Sequence, residues 1–364
     1  MDGESVQMTT TQNDRHDDGA ASFDPVLNPK FEKYGEANKV VIEYPRMMRA
    51  LKKVEDCRQM SKGAREPECM LIIGQPGVGK TTIKDHYLSQ HPRQETKAGT
   101  HVPVLAATIP VPAKMSTMAT ALLAGLGDPL AAHGALDAKT LRLYKLVKDC
   151  GVELIILDEF QHFIDRDNDR VLRSVADWLK NLITETKKPV VLTGLPCCRK
   201  VLEANEQLRR RFSCQLNVNA FSWRAPGRPE FRKFLALLQR SLPLESAIDF
   251  SDEEMAKRFY HASHGRVGAL TKIAKGAVFI ALEKGEKRIS QEMLAQSFAD
   301  RLLPQEDRGR RKDDPDNPFH AGWEHVQKQA FAAIASKHAS KPKAASGRSK
   351  KQVRQAAAEV FRAG

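Results

Sequence analysis

Apolar positions in this chain follow two rhythms. Up to about residue 218, short apolar runs alternate with stretches of helical spacing; beyond Trp223 only the helical spacing remains. The runs Met70–Ile73, Val102–Ile109, Val152–Leu157, Val190–Leu192 and Cys214–Val218 are short, continuous and bounded by polar or turn residues, which predicts five buried strands. Pro110-Val111-Pro112 must stop the second strand, because proline cannot donate to a ladder. Between the strands, Met47, Met48, Leu51 and Val54 share one helical face, Thr82–Tyr87 reads as helix, and Val171, Val175, Leu179 and Ile183 line one side of Asp169–Glu185. Cys198–Ala204 adds a short helix, and His91–Thr100 reads as a polar loop. Two helices, Met115–Leu126 and Ala138–Asp149, flank a Gly127–Gly134 loop and form an insertion between the second and third strands. Strands alternating with helices predict an α/β fold with a mostly parallel sheet covered by helices on both faces.

After that region come four helical segments, Pro229–Leu242, Asp252–Ser263, Val267–Glu283 and Ser290–Arg301, the second opening on the capping sequence Ser251-Asp252-Glu253-Glu254. They predict a small helical lid. The chain therefore divides into an acidic arm (1–36), an α/β domain (37–222), a lid (223–303) and a basic tail (304–364). Within the tail, Ala321–His338 and Val353–Phe361 have helical spacing around a Lys, Ser and Ala linker, an arrangement suited to binding a partner.

Charge sharpens this division. The chain has 364 residues and a formal net charge of +13; residues 1–36 carry 3 basic against 8 acidic side chains, and residues 308–364 carry 13 against 5. A basic body with a more basic tail points to an anionic polymer, most simply nucleic acid. No apolar run approaches the roughly 18 residues of a membrane span. The N-terminal stretch has neither signal-peptide nor transit-peptide character, so a cytoplasmic protein is expected. Cys57, Cys69, Cys150, Cys197, Cys198 and Cys214 contain no C-x-x-C pair and read as packing residues, as does His162 beside Phe163.

The chemistry gathers at the strand ends. After Met70–Ile73 comes Gly74-Gln75-Pro76-Gly77-Val78-Gly79-Lys80-Thr81-Thr82, a full G-x-x-x-x-G-K-[ST] pattern between a strand and a helix. Its glycines let backbone N–H groups converge on phosphate oxygens, Lys80 adds a point charge at the β and γ phosphates, and the Thr81 hydroxyl can ligate Mg²⁺. The third strand ends in Asp158-Glu159, where Asp158 would hold the Mg²⁺ shell and Glu159 would polarise an attacking water. Thr193, at the end of the fourth strand, either faces the γ phosphate or is satisfied in the core. Arg209, Arg210 and Arg211, between Leu208 and Phe212, either reach a neighbouring subunit's nucleotide as an arginine finger or form a solvated basic face. The segment around Tyr44-Pro45, just upstream, is placed to cover an adenine base.

Together GQPGVGKT, LDEFQH, LTGLP and QLRRRF resemble AAA+ ATPases, and EYPRMMRALKKVE with LDEFQHF is similar to the TniB/TnsC family of bacterial transposon proteins. The resemblance covers Tyr44 to Val218 and extends more loosely over the lid. It implies ATP and Mg²⁺ as cofactors, Thr193 as first sensor and Arg211 as the finger, with Arg210 as the fallback. The usual second-sensor pattern, Gly-x-x-Arg, is altered here to Gly265-Arg266-Val267-Gly268, so either Arg266 substitutes or that sensor is missing. The family implies a ring or helical homo-oligomer on double-stranded DNA, a transposase partner and a target selector of the TniQ type. The insertion helices would then line the DNA through Lys114, Ser116, Thr117, Lys139 and Arg142. A helicase loader or replication-initiator ATPase shares the same core residues. A metabolic P-loop kinase does not, because such enzymes usually lack a Glu beside the Mg²⁺ Asp and have no use for the QLRRRF arginines.

Overall fold

The computed structural model describes residues 32, 34–36, 39, 41–97, 99–164, 169–302 and 316–323. The elements in chain order are α1 (Pro45–Met60), β1 (Met70–Ile73), α2 (Lys80–Gln90), β2 (Gln94–Thr96), β3 (Gly99–His101), β4 (Val104–Thr108), α3 (Met115–Leu126) and α4 (Leu136–Asp149). They continue with β5 (Leu154–Asp158), α5 (Asp169–Thr186), β6 (Val190–Gly194), α6 (Arg199–Glu203), α7 (Glu206–Arg211) and β7 (Cys214–Asn217).

Five strands form one sheet in the order β4-β5-β6-β1-β7, with every pairing parallel. Because successive side chains of a strand point to opposite faces, each strand feeds two cores. Leu71, Ile73, Ile155, Leu157 and Leu192 meet α3, α4 and α5 on one side. Met70, Ile72, Leu154, Ile156 and Val191 meet α1, α2 and the lid on the other. The result is the expected α/β architecture, a parallel sheet with helices on both faces. β1 lies between β6 and β7 although it precedes both in sequence, so its carboxyl end is a topological switch point, where open α/β sheets bind ligands.

The lid consists of α8 (Gly227–Arg240), α9 (Glu253–Ser263), α10 (Val267–Lys284) and α11 (Gln291–Leu302), with a two-residue parallel pair, β8 (Glu245–Ser246) and β9 (Arg288–Ile289). It is joined to the α/β domain by Tyr44, whose ring meets Phe234 edge-on at 5.1 Å and Phe221 at 5.6 Å. A second joint is Arg46 on α1, whose Nε lies 2.8 Å from both carboxylate oxygens of Glu230 on α8.

Three features differ from the sequence expectation. Residues 91–100, read as a loop, contain all of β2 and most of β3, a hairpin in which Gln94 faces His101; its side chains are polar, so no apolar alternation announces it. The second strand is shorter at its start than Val102, which instead donates its N–H to the Cys150 carbonyl at 2.9 Å. The third difference lies in the tail: Asn317–Trp323 packs on the lid, with Phe319 and Trp323 buried. The rest of Ala321–His338 and all of Val353–Phe361 lie outside the described residues, as does most of the acidic arm. No helix among the described residues is long and apolar enough to cross a membrane.

Candidate nucleotide site

At the carboxyl end of β1 the chain turns sharply through Gly74–Gly79 into α2. Gly77 and Gly79 hold φ of +77° and +101°, which L side chains rarely adopt. Gly74 is required for a different reason: a Cβ there would stand 2.2 Å from the Val218 carbonyl oxygen. The loop wraps Lys80, whose Nζ donates to the carbonyls of Gly74 at 2.9 Å and Gln75 at 3.2 Å. Burial holds the Lys80 ammonium below the usual lysine value, partly offset by Glu159 and Asp158. Val78 is buried beneath the turn, whereas Gln75, Pro76 and Thr82 are exposed.

Opposite the loop, β5 delivers Asp158, which is 1% exposed and heavily partnered. Its Oδ1 accepts from the Thr193 hydroxyl and, at 2.9 Å, from the Glu159 N–H. Its Oδ2 accepts from Thr81 Oγ1 at 3.3 Å and from the Lys84 ammonium at 3.2 Å. Thr193 thus bonds Asp158 directly. Glu159 sits at φ +57°, a strained conformation for a non-glycine residue and one that aims its carboxylate into the cleft. Gln161 donates to Glu159 Oε2 while its own Oε1 accepts from the Leu195 N–H at 3.2 Å, so one amide links the carboxylate to the end of β6.

Gly77, Gly79, Lys80, Thr81, Glu159 and Gln161 line a cleft of about 450 Å³, with Asp158 and Thr193 buried behind them. Its other wall is apolar, built from Val41, Ile42, Tyr44 and Met47, and the lid closes it with Val267, Gly268, Thr271 and Lys275 of α10. The donor set fits a nucleoside triphosphate with a divalent cation. A glycine cradle and Lys80 suit phosphates, and a hydroxyl beside a carboxylate gives the hard oxygen ligands Mg²⁺ prefers. The apolar wall suits a base.

The structure brings together Gly74 to Thr82, Asp158, Glu159 and Thr193. Arg266 lies beside the loop: it is exposed at the N-terminus of α10, with its Cβ and Cδ 4.0 Å from where a Cβ on Gly77 would lie, while the lid residues lining the cleft are Val267, Gly268, Thr271 and Lys275. Arg210 and Arg211 lie on α7 and line a separate surface hollow with Glu66 and Glu68. Arg210 is exposed and paired with Glu206, and Arg211 Nη1 donates to Thr184 Oγ1 at 3.0 Å.

Two of the DNA candidates need correction. Lys139 is 7% exposed and its Nζ donates to Thr120 Oγ1 at 2.9 Å, holding α4 against α3. Arg142 pairs with Asp128 at 2.9 Å and donates to the Leu130 carbonyl at 2.7 Å, closing the inter-helix loop. Lys139 is enclosed between the two helices, and Arg142, about a third exposed, is engaged by the loop between them. Lys114 is exposed, Ser116 and Thr117 are half-buried, and Thr117 Oγ1 caps α3 by accepting from the Lys114 N–H at 3.2 Å.

Sequence reasoning passed over Gln161, Thr271, Lys275 and Lys84. Only Lys84 carried a usable signal, lying one helical turn after Lys80 on the same face. The cysteines behave as packing residues: burial pushes the thiols of Cys57 and Cys69 up to about 12, so neither forms a thiolate near neutral pH.

The fold matches solved structures of AAA+ proteins. Cdc6p from Pyrobaculum aerophilum superposes with a TM-score of 0.54 at 13% identity, covering 74% of this chain and 71% of that one. ORC1 from Aeropyrum pernix, solved in complex with DNA, gives 0.55 at 16% identity, covering 75% and 73%. ORC2 from Aeropyrum pernix, with ADPNP and ADP, gives 0.54 at 15% identity over 73% and 71%. A sequence search of curated proteins found no match. The profile described as "Bacterial TniB protein" matches residues 35–224, more than half of the sequence, and by that match the chain belongs to the TniB family.

Proposed function

We propose that the chain is an ATP-dependent DNA-binding regulator of transposition, which assembles on target duplex DNA with ATP, recruits and activates a transposase, and disassembles on hydrolysis. The observation that carries this reading is the convergence of Thr81, Thr193 and the Glu159 N–H on the buried Asp158, directly across from the phosphate loop. In a TniB-family chain, that is the arrangement of a hydrolytic nucleotide site. The likeness to initiator proteins is a likeness of fold.

Lys80 and the loop N–H groups hold the β and γ phosphates, and Tyr44 and Met47 wall the base. Thr81 and Asp158 would hold Mg²⁺, which supplies charge neutralisation at the phosphates. Glu159, fixed by Gln161, orients the attacking water, and Thr193 keeps Asp158 in place. Arg211, with Arg210 beside it on α7, is offered to the nucleotide of a neighbouring copy. Arg211 is half-buried after the exposed Arg209 and Arg210, and reaching a neighbour would require its side chain to leave Thr184. The basic surface and tail provide the electrostatic attraction for DNA, and a target selector of the TniQ type is the expected further partner.

The test compares two variants by electron microscopy and sedimentation with duplex DNA and ATP. Glu159→Gln should retain nucleotide and accumulate the DNA-bound oligomer, whereas Lys80→Ala should form none. DNA binding indifferent to nucleotide would refute the assignment.

A further inference from the structure

Lys84 belongs to no part of the phosphate-loop pattern, yet its side chain is only 10% exposed and its ammonium lies 3.2 Å from Asp158 Oδ2. That oxygen is the one Thr81 Oγ1 approaches at 3.3 Å, so an ammonium shares the atom that a divalent cation bound by Thr81 and Asp158 must use. Its other partner, Asp85 Oδ1 at 3.3 Å, is 62% exposed, so the side chain has a second carboxylate nearer solvent. Burial pulls the Lys84 ammonium down, and the Asp158 and Asp85 carboxylates together more than offset it. A carboxylate as buried as Asp158 is costly to leave without a counter-charge. The same positive charge repels a metal ion brought to the same oxygen.

We propose that Lys84 is a built-in counter-ion of the divalent-cation site: it neutralises Asp158 when metal is away and sets the Mg²⁺ concentration at which nucleotide is held. The proposal rests on the reading of the cleft as a Mg²⁺-nucleotide site. Metal binding must displace Lys84 toward Asp85 or tolerate its repulsion, and metal loss is eased because Lys84 re-pairs with Asp158. The site is thereby biased toward weak metal retention, which suits a protein that has to release nucleotide in order to disassemble.

The test titrates free Mg²⁺ against full-length protein with a fluorescent ATP analogue, for wild type, Lys84→Met and Lys84→Arg. Melting temperature without nucleotide, with and without Mg²⁺, is the second readout. Even with the screening of bulk water, removing one unit charge a few ångströms from a divalent ion changes affinity by about tenfold. Lys84→Met should therefore lower the half-saturating Mg²⁺ about tenfold, while Lys84→Arg stays within about twofold of wild type. Without nucleotide, Lys84→Met should melt at a lower temperature and be partly restored by Mg²⁺, to which wild type is indifferent. An unchanged or raised half-saturating Mg²⁺ in Lys84→Met overturns the proposal. If Lys84→Met does not fold, the double variant Lys84→Met/Asp158→Asn should, since it removes the unpaired charge; a double variant that also fails overturns it. Wild type that binds the analogue at no Mg²⁺ concentration sinks the nucleotide-site reading itself.

Discussion

The N–H of Gly268, in the first turn of α10, donates to the carbonyl of Gly77 at 2.8 Å, so the lid touches the phosphate loop through backbone. A second joint lies behind it, where the Phe221 N–H donates to the Gly265 carbonyl at 2.9 Å and a Cβ on Gly265 would meet Phe221 O at 2.2 Å. A change at the loop on nucleotide binding is therefore felt by the lid without any side chain as intermediary.

Gly268→Ala separates stability from binding. A Cβ at Gly268 would stand 3.1 Å from Gly77 O, close enough that the loop or α10 must yield by a few tenths of an ångström. Replacing glycine within a helix gains up to about 1 kcal/mol, which offsets the strain in the overall fold. Melting temperature should stay near wild type, while ATP affinity by calorimetry falls by about three- to tenfold.

Tyr44 serves the core and the cleft at once, being 6% exposed and packed on Phe221 and Phe234 while lining the base wall. Tyr44→Ala should cost about 3 to 4 kcal/mol in chemical denaturation, as buried aromatic truncations do. Tyr44→Phe keeps the packing and should cost under about 1 kcal/mol. Nucleotide affinity, measured well below the melting temperature, should drop only for the alanine variant.

The sheet, the phosphate loop and Asp158-Glu159 were legible because each is local: an apolar run, a turn that needs glycine, two acids at a strand end. Lys139 and Arg142 show where that legibility stops. Whether a lysine on an amphipathic helix faces DNA or a neighbouring helix depends on Thr120 and Asp128, which the helix pattern does not place. Thr271 and Lys275 were missed for the same reason, since their closeness to the loop arises only when the lid folds over it. The docking of Phe319 was hidden by charged residues around it, which outweigh a single Phe-x-x-x-Trp spacing in any periodicity count.

DNA binding distinguishes the insertion candidates. Lys114 is exposed at the start of α3, so Lys114→Ala should weaken binding by similar factors across sequences and reduce the salt slope by about 1. Lys139→Met should leave the slope unchanged and instead cost about 1 kcal/mol of stability, from the lost bond to Thr120. Fluorescence anisotropy with labelled duplex over a salt series reads both.

Acid should loosen the contact between α1 and α2. Hydrogen bonds from Arg58, then Tyr87 and Gln59, hold the Glu55 carboxyl down at about 2, against burial that raises it. A depressed carboxyl contributes stability that is full above its unfolded value, near 4.5, and is lost as pH falls toward 2. Glu55 is about a third exposed, so solvent screening reduces the contribution to about 1 kcal/mol. Glu55→Gln should flatten that part of the stability profile between pH 5 and about 2, as followed by urea denaturation.

The tail must be cut in the right place to learn what it does. Arg258 on α9 donates to the carbonyls of Pro318 at 2.8 Å and His320 at 2.9 Å, and Gln291 on α11 donates to that of Phe319 at 2.9 Å. Phe319 packs edge-on against Phe259 with centroids 5.0 Å apart, and Trp323 lies under the Arg258 guanidinium at 5.2 Å. Phe319→Ala should therefore cost about 3 kcal/mol and lower the melting temperature with no change in charge. Removal of everything from Arg308 would take this segment too, so any loss of transposase recruitment would be confounded with damage to the lid. Removal of only residues 324–364 leaves the Phe319 and Trp323 contacts intact. That truncation should melt within about 2 °C of the full chain, since it keeps every contact by which Pro318, Phe319, His320 and Trp323 hold to the lid. A pull-down of transposase by the 324–364 truncation then reads the tail alone. Lost recruitment at unchanged melting temperature assigns partner binding to those residues, and full recruitment removes them from the scheme.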